Sequence, residues 1–365
     1  MHTETQNIAR LIAFYLPQYH PIPENDEWWG KGFTEWTNTA KAKPLFKGHY
    51  QPHVPADLGF YDLRVPETRI AQAEMAKKYG IEAFCYYHYW FGGKQLLERP
   101  FKEVVASGEP DFPFCVCWAN QTWTGIWHGA PNRILIEQTY PGDDDHIAHF
   151  NALLPAFSDK RYVKVGGKVL FLIYRPRELP DGVINFWREL AENAGLKGIH
   201  FVGVTEDPNW IPEDDGFDGA VLVRFSARYD WVSRRKPIKW ILNEFRKQIA
   251  RPIIVKYADI LSELGPLKNT QTRQMPYPCV IPNFDNTPRS GKDGHVFHGS
   301  SPELFRVPLR QAIDVAKDLP NDENIVFLKS WNEWAEGNHL EPDLRFGNAY
   351  LEVIRQEVIK SASSN

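Results

Sequence analysis

The chain has no apolar run approaching the ~20 residues that a membrane helix needs, which excludes a single-helix span. It also lacks an excess of positive charge. Lys and Arg number 42 against 46 Asp and Glu, a formal net charge of −4, which argues against nucleic acid as the main partner. Cysteine is scarce, with only Cys85, Cys115, Cys117 and Cys279. No CxxC and no Cys/His ligand spacing accompanies them, so they read as reduced core residues and no metal site is expected. No GxGxxG follows the first predicted strand and no P-loop occurs, so a nucleotide-binding fold has no local support. The GxSxG elbow and the HExxH helix are absent as well. Met1–Arg10 lacks the basic-then-apolar pattern of a secretory signal. That points to the cytoplasm, or to the periplasm or beyond if a leader has been removed.

Aromatic residues are abundant. Trp, Tyr and Phe make up 14% of the chain, and 13 of these residues are Trp. Nine of the Trp fall in four short stretches: Trp28, Trp29 and Trp36; Trp90; Trp118, Trp123 and Trp127; Trp331 and Trp334. Their neighbours are Gly, Asn, His, Gln and Glu rather than Val, Ile and Leu. Such a mixture suits a sugar site, where C–H faces stack on rings and hydroxyls take polar groups; a large aromatic core is the alternative.

Short apolar runs alternate with helical patterns. The predicted strands are Leu11–Leu16, Ala83–Tyr87, Phe114–Trp118, Val169–Tyr174, His200–Val204, Gly219–Val223, Cys279–Pro282 and Ile325–Leu328. Helical patterns cover Glu67–Tyr79, Asp144–Phe157, Val183–Ala194, Pro302–Leu319 and Ala349–Lys360. Eight strands alternating with helices predict an α/β fold, a (β/α)8 TIM barrel with long βα loops. A doubly wound open sheet is the alternative. No linker or internal repeat is visible, so residues 1–365 read as one catalytic domain. Loop insertions lie near 20–60 and 225–278, the second with a helix near Ile238–Ile249 and basic at Arg234, Arg235 and Lys236.

In such a barrel the chemistry sits where strands end at their C-terminal side. The residues leaving the predicted strands are mostly polar or aromatic. They supply candidate sugar-binding groups: Tyr15, Gln18 and Tyr19; Tyr86, His88 and Trp90; Trp118, Asn120 and Trp123; Asn283 and Asp285; Trp331 and Trp334. Glu35 and Trp36 join them from the 20–60 loop. Glu35 reads as a catalytic acid, a hydroxyl acceptor or a structural partner. His88 reads as a base, a hydroxyl ligand or a core histidine, and Asp285 as a ligand or a group holding Arg289 or its turn. Asp143–Asp145 reads as a helix N-cap rather than a metal motif. Glu333 and Glu336 stand three apart after the last strand, bracketed by Trp331 and Trp334. Glycosidic cleavage needs a proton donor and a second carboxylate, and mutual repulsion drives the two pKa values apart. N-caps or surface ions are the plainer reading of the pair.

The motifs Tyr15-Leu16-Pro17-Gln18-Tyr19-His20, Gly32-Phe33-Thr34-Glu35-Trp36, Tyr86-Tyr87-His88-Tyr89-Trp90, Trp118-Ala119-Asn120, Pro282-Asn283-Phe284-Asp285 and Trp331-Asn332-Glu333-Trp334-Ala335-Glu336-Gly337 together resemble the WbsX-like family. That family is labelled a glycosyltransferase of lipopolysaccharide synthesis and is similar to glycoside hydrolase family 99, the endo-acting α-mannosidases and α-mannanases. The resemblance runs from about residue 10 to 360. It implies a (β/α)8 barrel, no cofactor and no metal. It further implies that Glu333 deprotonates the substrate 2-hydroxyl, which attacks C1 and forms a 1,2-anhydro sugar. Glu336 would protonate the leaving oxygen and then activate water, with configuration retained. The implied substrate is an α-linked, manno-configured or related oligo- or polysaccharide. A surface-polysaccharide glycosyltransferase and a non-catalytic carbohydrate-binding protein are the alternatives.

Overall fold

The computed structural model describes residues 7–125, 130–226, 251–264, 276–317, 319–320 and 322–359. Eight parallel strands form its centre: β1 Arg10–Tyr15, β2 Ala83–Phe91, β3 Phe114–Trp118, β4 Lys168–Ile173, β5 Ile199–Thr205, β6 Gly219–Leu222, β7 Tyr277–Val280 and β8 Ile325–Leu328. Each pairs with its sequence neighbours, and β8 returns to β1 with Arg10 opposite Ile325. The sheet is therefore a closed (β/α)8 barrel. All eight predicted strands are present, and their near-continuous burial is what a sheet covered on both faces requires.

Helices α1 Pro23–Trp29 and α2 Glu35–Lys41 lie in the 20–60 segment. They are followed by α3 Pro66–Lys78, α4 Arg99–Ser107, α5 Asp143–Phe157, α6 Val183–Asn193, α7 Pro302–Ala316 and α8 Ala349–Val358. Local chemistry sets their starts. Thr34 accepts from the Trp36 amide at the head of α2, and Ser301 accepts from the Leu304 amide at the head of α7. The Asp143–Asp145 run occupies the first turn of α5 behind a Gly142 N-cap, where the helix dipole favours negative charge.

Three features differ from the sequence expectation. The 20–60 segment contains two seven-residue helices, too short for a periodic pattern to show. Helix α4 carries a full crossover in only nine residues. Between β5 and β6 the chain makes a single 3-10 turn, Pro212–Asp215, in place of a helix. The helix expected near Ile238–Ile249, Trp127 and the basic triplet at 234–236 lie outside the described residues. Among the described residues no helix is long and apolar enough to cross a membrane.

Gly203 shows how tightly the wall is packed. A Cβ there would lie 2.2 Å from Cη2 of Trp210, whose ring fills the space against β5. Gly203→Ala is expected to lower stability by about 1–3 kcal/mol, the range for overpacking a core. Chemical denaturation should show a reduced midpoint with an unchanged slope.

Candidate functional site

All eight strand exits contribute to one cleft of about 250 Å3 at the C-terminal face of the barrel. Gln18 comes from β1, Tyr87 and Tyr89 from β2, Gln121 and Trp123 from β3, and Tyr174 from β4. Glu206, Phe225, Phe284 and Arg289 follow from β5, β6 and β7, and Lys329, Glu333 and Glu336 from β8.

The segment after β8 is fixed before it supplies any chemistry. The Trp331 amide donates to the Phe14 carbonyl at 2.8 Å. Asn332 bridges to β1, accepting from the Leu16 amide at 2.7 Å and donating to the Leu16 carbonyl at 3.0 Å. The Tyr19 hydroxyl donates to the Asn332 carbonyl and accepts from the Trp334 amide. Below them Glu341 is a buried acceptor for Trp334 Nε1 at 2.6 Å, Gln72 Nε2 at 2.6 Å and the Tyr61 hydroxyl at 2.8 Å. Gly337 takes φ +56°, and a Cβ there would lie 3.0 Å from Asp285 Cβ, so the turn behind Glu336 suits glycine.

Five ionisable groups then line up in sequence. Lys329 Nζ donates to Glu333 Oε1 at 2.6 Å. Glu333 and Glu336 lie near enough for each to act on the other's ionisation. Arg289 Nη1 donates to Glu336 Oε1, while its Nε and Nη2 reach Glu35 Oε2 at 3.1 and 3.0 Å. Two cations and three carboxylates balance only if one proton stays in the chain. The two neighbouring glutamates are where that proton fits, because two ionised carboxylates side by side repel each other.

The local fields agree. Burial pushes the Glu333 carboxyl up to about 7, with Lys329 opposing and the Glu336 charge reinforcing. Burial also raises Glu336, but Arg289 and then Lys329 outweigh it and hold Glu336 below the usual carboxylate range. Glu35 is fully buried and raised by burial against the pull of Arg289. The neutral form is therefore favoured at Glu333 over Glu336.

The structure brings Gln18, Trp123, Glu333 and Glu336 of the sequence candidates together in the cleft. The others lie behind it. Tyr15 points outward from β1 and donates to Gln72 of α3. Tyr86, His88 and Trp90 share one parity on β2 and face the helices, while Tyr87 and Tyr89 face the cleft. His88 Nε2 meets His149 Nε2 at 2.8 Å, and the Trp90 ring stacks on His149 with centroids 4.6 Å apart. Trp118 is buried against Trp187, and Trp331 against Phe84. Trp36 packs with Tyr19, Tyr61 and Trp334. Asn120 ties the exits of β3 and β4 by bonding the main chain of Arg175 in both directions. Asn283 accepts from the Phe284 amide. Asp285 accepts from His49, Gln51 and Thr287, and Arg289 turns instead to Glu35 and Glu336.

The candidate set left out Tyr87, Tyr89, Gln121, Tyr174, Glu206, Phe225, Phe284, Arg289 and Lys329. Strand parity separates Tyr87 and Tyr89 from their neighbours. Lys329 carries a signal too: a lysine closing the apolar run Ile325–Leu328, four residues before Glu333, needs a counter-charge. For Glu206 and Phe225 the sequence holds no comparable sign.

Fold and cleft together define a (β/α)8 barrel with a paired-glutamate site at its C-terminal face. The chain belongs to the family described as Glycosyltransferase WbsX, whose model matches residues 11–354. A relative from Xanthomonas campestris pv. campestris, described as "Uncharacterized protein WxcX", is 39% identical over 97% of this chain, and a second strain carries the same match. The chain spans about half the length of these relatives. Among solved structures, a "Glycoside hydrolase-like protein" aligns with a TM-score of 0.56 at 14% identity, covering 98% of this chain and 95% of its own. The glycoside hydrolase family 99 endo-alpha-mannosidase from Bacteroides thetaiotaomicron aligns with a TM-score of 0.52 at 15% identity, covering 96% and 97%. These two share the fold.

Replacing Glu341 by Ala would leave three buried donors without an acceptor. A loss of about 3 kcal/mol or more is expected, since each stranded donor costs ~1–3 kcal/mol. Thermal unfolding should show it, and Glu341→Gln should recover part of the loss because one carbonyl oxygen remains.

Proposed function

We propose that this protein is a retaining glycoside hydrolase acting within α-linked glycan chains, with Glu333 and Glu336 as the catalytic pair. The observation that carries this reading is the meeting of Glu333, paired with Lys329, and Glu336, paired with Arg289, in one cleft lined by aromatic rings and carboxamides. An inverting pair stands ~6.5–9.5 Å apart with water between its carboxyls, and a retaining nucleophile–acid pair ~5–5.5 Å apart. The Glu333–Glu336 pair is carried on one short segment after β8, each carboxyl with its own cation. It suits participation by the substrate's own 2-hydroxyl, in which one carboxylate accepts the hydroxyl proton while the other protonates the leaving oxygen.

Glu333 is the base in this reading. A 2-hydroxyl donating to it stabilises its ionised form, as Lys329 does from the other side. The proton displaced from Glu333 passes to the neighbouring Glu336, which delivers it to the glycosidic oxygen. The 2-oxygen forms its bond to C1 as the C1–O bond breaks, giving a 1,2-anhydro sugar. Water, deprotonated by Glu336, opens that ring at C1, and the 2-oxygen recovers its proton from Glu333. Displacement by O2 requires a 2-hydroxyl trans to the leaving group, hence manno-like configuration. Tyr87, Tyr89, Trp123 and Tyr174 supply ring faces, and the Gln18 and Gln121 carboxamides supply partners for hydroxyls. Passing the sugar to a carbohydrate hydroxyl instead of water would use the same pair. The family's description favours this transferase as the second reading. Product analysis by mass spectrometry on α-mannan fragments separates the two and reports whether cleavage is internal.

Glu333→Gln and Glu336→Gln are each expected to lower kcat/KM on α-mannan fragments by about 10²–10⁴-fold, the usual weight of a general acid or base. Fluoride leaves an α-mannosyl fluoride without protonation, so Glu336→Gln should still release it in the first turnover, before water needs a base, while Glu333→Gln should not. The reverse pattern would exchange the two roles. The one-proton state of the pair exists above the lowered Glu336 pKa and below about 7. The kcat/KM profile should therefore fall as pH rises through about 7 and fall again on the acid side. Arg289→Gln should move the acid limb to higher pH.

A further inference from the structure

One group of potential metal ligands stands outside the cleft among the described residues. His53, His339 and Asp343 each offer one ligand atom, and all three atoms lie within 4.8 Å of one another. They come from two distant segments, the loop after β1 and the loop after β8, and all three side chains are buried. We infer that these residues form a structural site for a divalent transition metal of the zinc type, clamping the 20–60 loop to the segment that carries Glu333 and Glu336.

The donor chemistry fits such an ion. His339 Nδ1 faces the Glu341 carbonyl at 2.9 Å, and only a protonated nitrogen can donate there. This fixes the tautomer and leaves Nε2 with its lone pair, the usual preparation of a metal-binding imidazole. His53 Nδ1 faces that same Nε2 at 2.8 Å. Asp343 accepts the Arg345 and Phe346 amides on Oδ1 and the Tyr50 hydroxyl on Oδ2. Two carboxylate oxygens offer about four lone-pair directions, so Oδ2 retains one. Two imidazoles and a carboxylate select zinc and its neighbours over calcium or magnesium, which take oxygen ligands. Zn–N bonds of ~2.0–2.1 Å in tetrahedral geometry set the nitrogens about 3.4 Å apart, so loading requires the rings to part by about half an ångström.

The site is structural because its ligands face away from the cleft. His339 pairs with Asn332 across a two-residue antiparallel ladder, and its ring stacks on Trp334 with centroids 3.7 Å apart. A metal there would stiffen the support of both glutamates without touching substrate. The competing arrangement of the same atoms is a plain N–H···N hydrogen bond between the two histidines.

The full chain, stripped with chelator, reloaded with Zn2+ and desalted, is measured by inductively coupled plasma mass spectrometry. About one zinc per chain is expected, with loss in His53→Ala and in Asp343→Asn and a raised thermal midpoint on loading the wild type. Co2+ substitution should give visible absorption of a nitrogen–oxygen tetrahedral site. This reads the ligand set in the wild type even if a variant fails to fold. Zinc far below one per chain with no cobalt spectrum would overturn the site and leave the hydrogen bond. Undiminished zinc in a folded His53→Ala would overturn it too. The readouts use no substrate, so they stand apart from the proposed activity.

Discussion

The site depends on one constraint: charges removed from water must neutralise one another. Lys329, Glu333, Glu336, Arg289 and Glu35 form a chain in which each charge touches its opposite, with Glu333 and Glu336 as like neighbours at its middle. Each group alone would be too costly to bury, since an isolated ionised side chain in an apolar setting loses several kcal/mol of hydration even after relaxation. Together they are tolerable, and the condition for neutrality is a retained proton. A barrel that brings β1, β7 and β8 exits side by side can build such a chain from residues 35, 289 and 329–336. No single segment of this sequence could.

The aromatic residues serve this chain in two ways. Phe14, Tyr87 and Phe225 surround the Lys329 ammonium, with centroids 5.8, 5.3 and 5.7 Å away. Ring faces carry negative potential and so partly replace the water a buried cation has lost. Trp36, Trp334, Tyr19 and Tyr61 form a second group behind the segment that carries Glu333 and Glu336. Their polar edges are all used: Trp36 Nε1 donates to the Tyr61 carbonyl, and Trp334 Nε1 to Glu341. Much of the tryptophan in the polar motifs is thus scaffold. Its role is to hold the main chain after β8 in place so that two carboxyls meet.

The barrel was legible because its signals are local. Each strand is an apolar run with a following helix, and a closed parallel sheet buries both faces, so the runs stand out without alternation. The short helices α1, α2 and α4 were not legible, since two turns or so show no period. In the site, Glu333 and Glu336 could be read from their spacing and flanking Trp residues. Which aromatics of Tyr86–Trp90 face the cleft follows from strand parity once one position is anchored, and sequence alone does not anchor it. Arg289 was beyond reach in another sense. Its partners Glu35 and Glu336 are 254 and 47 residues away, and no spacing rule joins them. The same holds for Asp285, whose partners His49 and Gln51 come from the long loop after β1.

Charge neutrality requires that the Glu333–Glu336 pair retain one proton near neutral pH. Infrared difference titration tests it by following the C=O stretch of protonated carboxyl groups in the wild type and in Glu333→Gln. Glu341 is also raised by burial to about 7, so the comparison between the two proteins is what isolates the pair. The account predicts a protonated-carboxyl band that titrates away near pH 7 in the wild type and is diminished by one group in the variant. Identical titrations in the two proteins would contradict it.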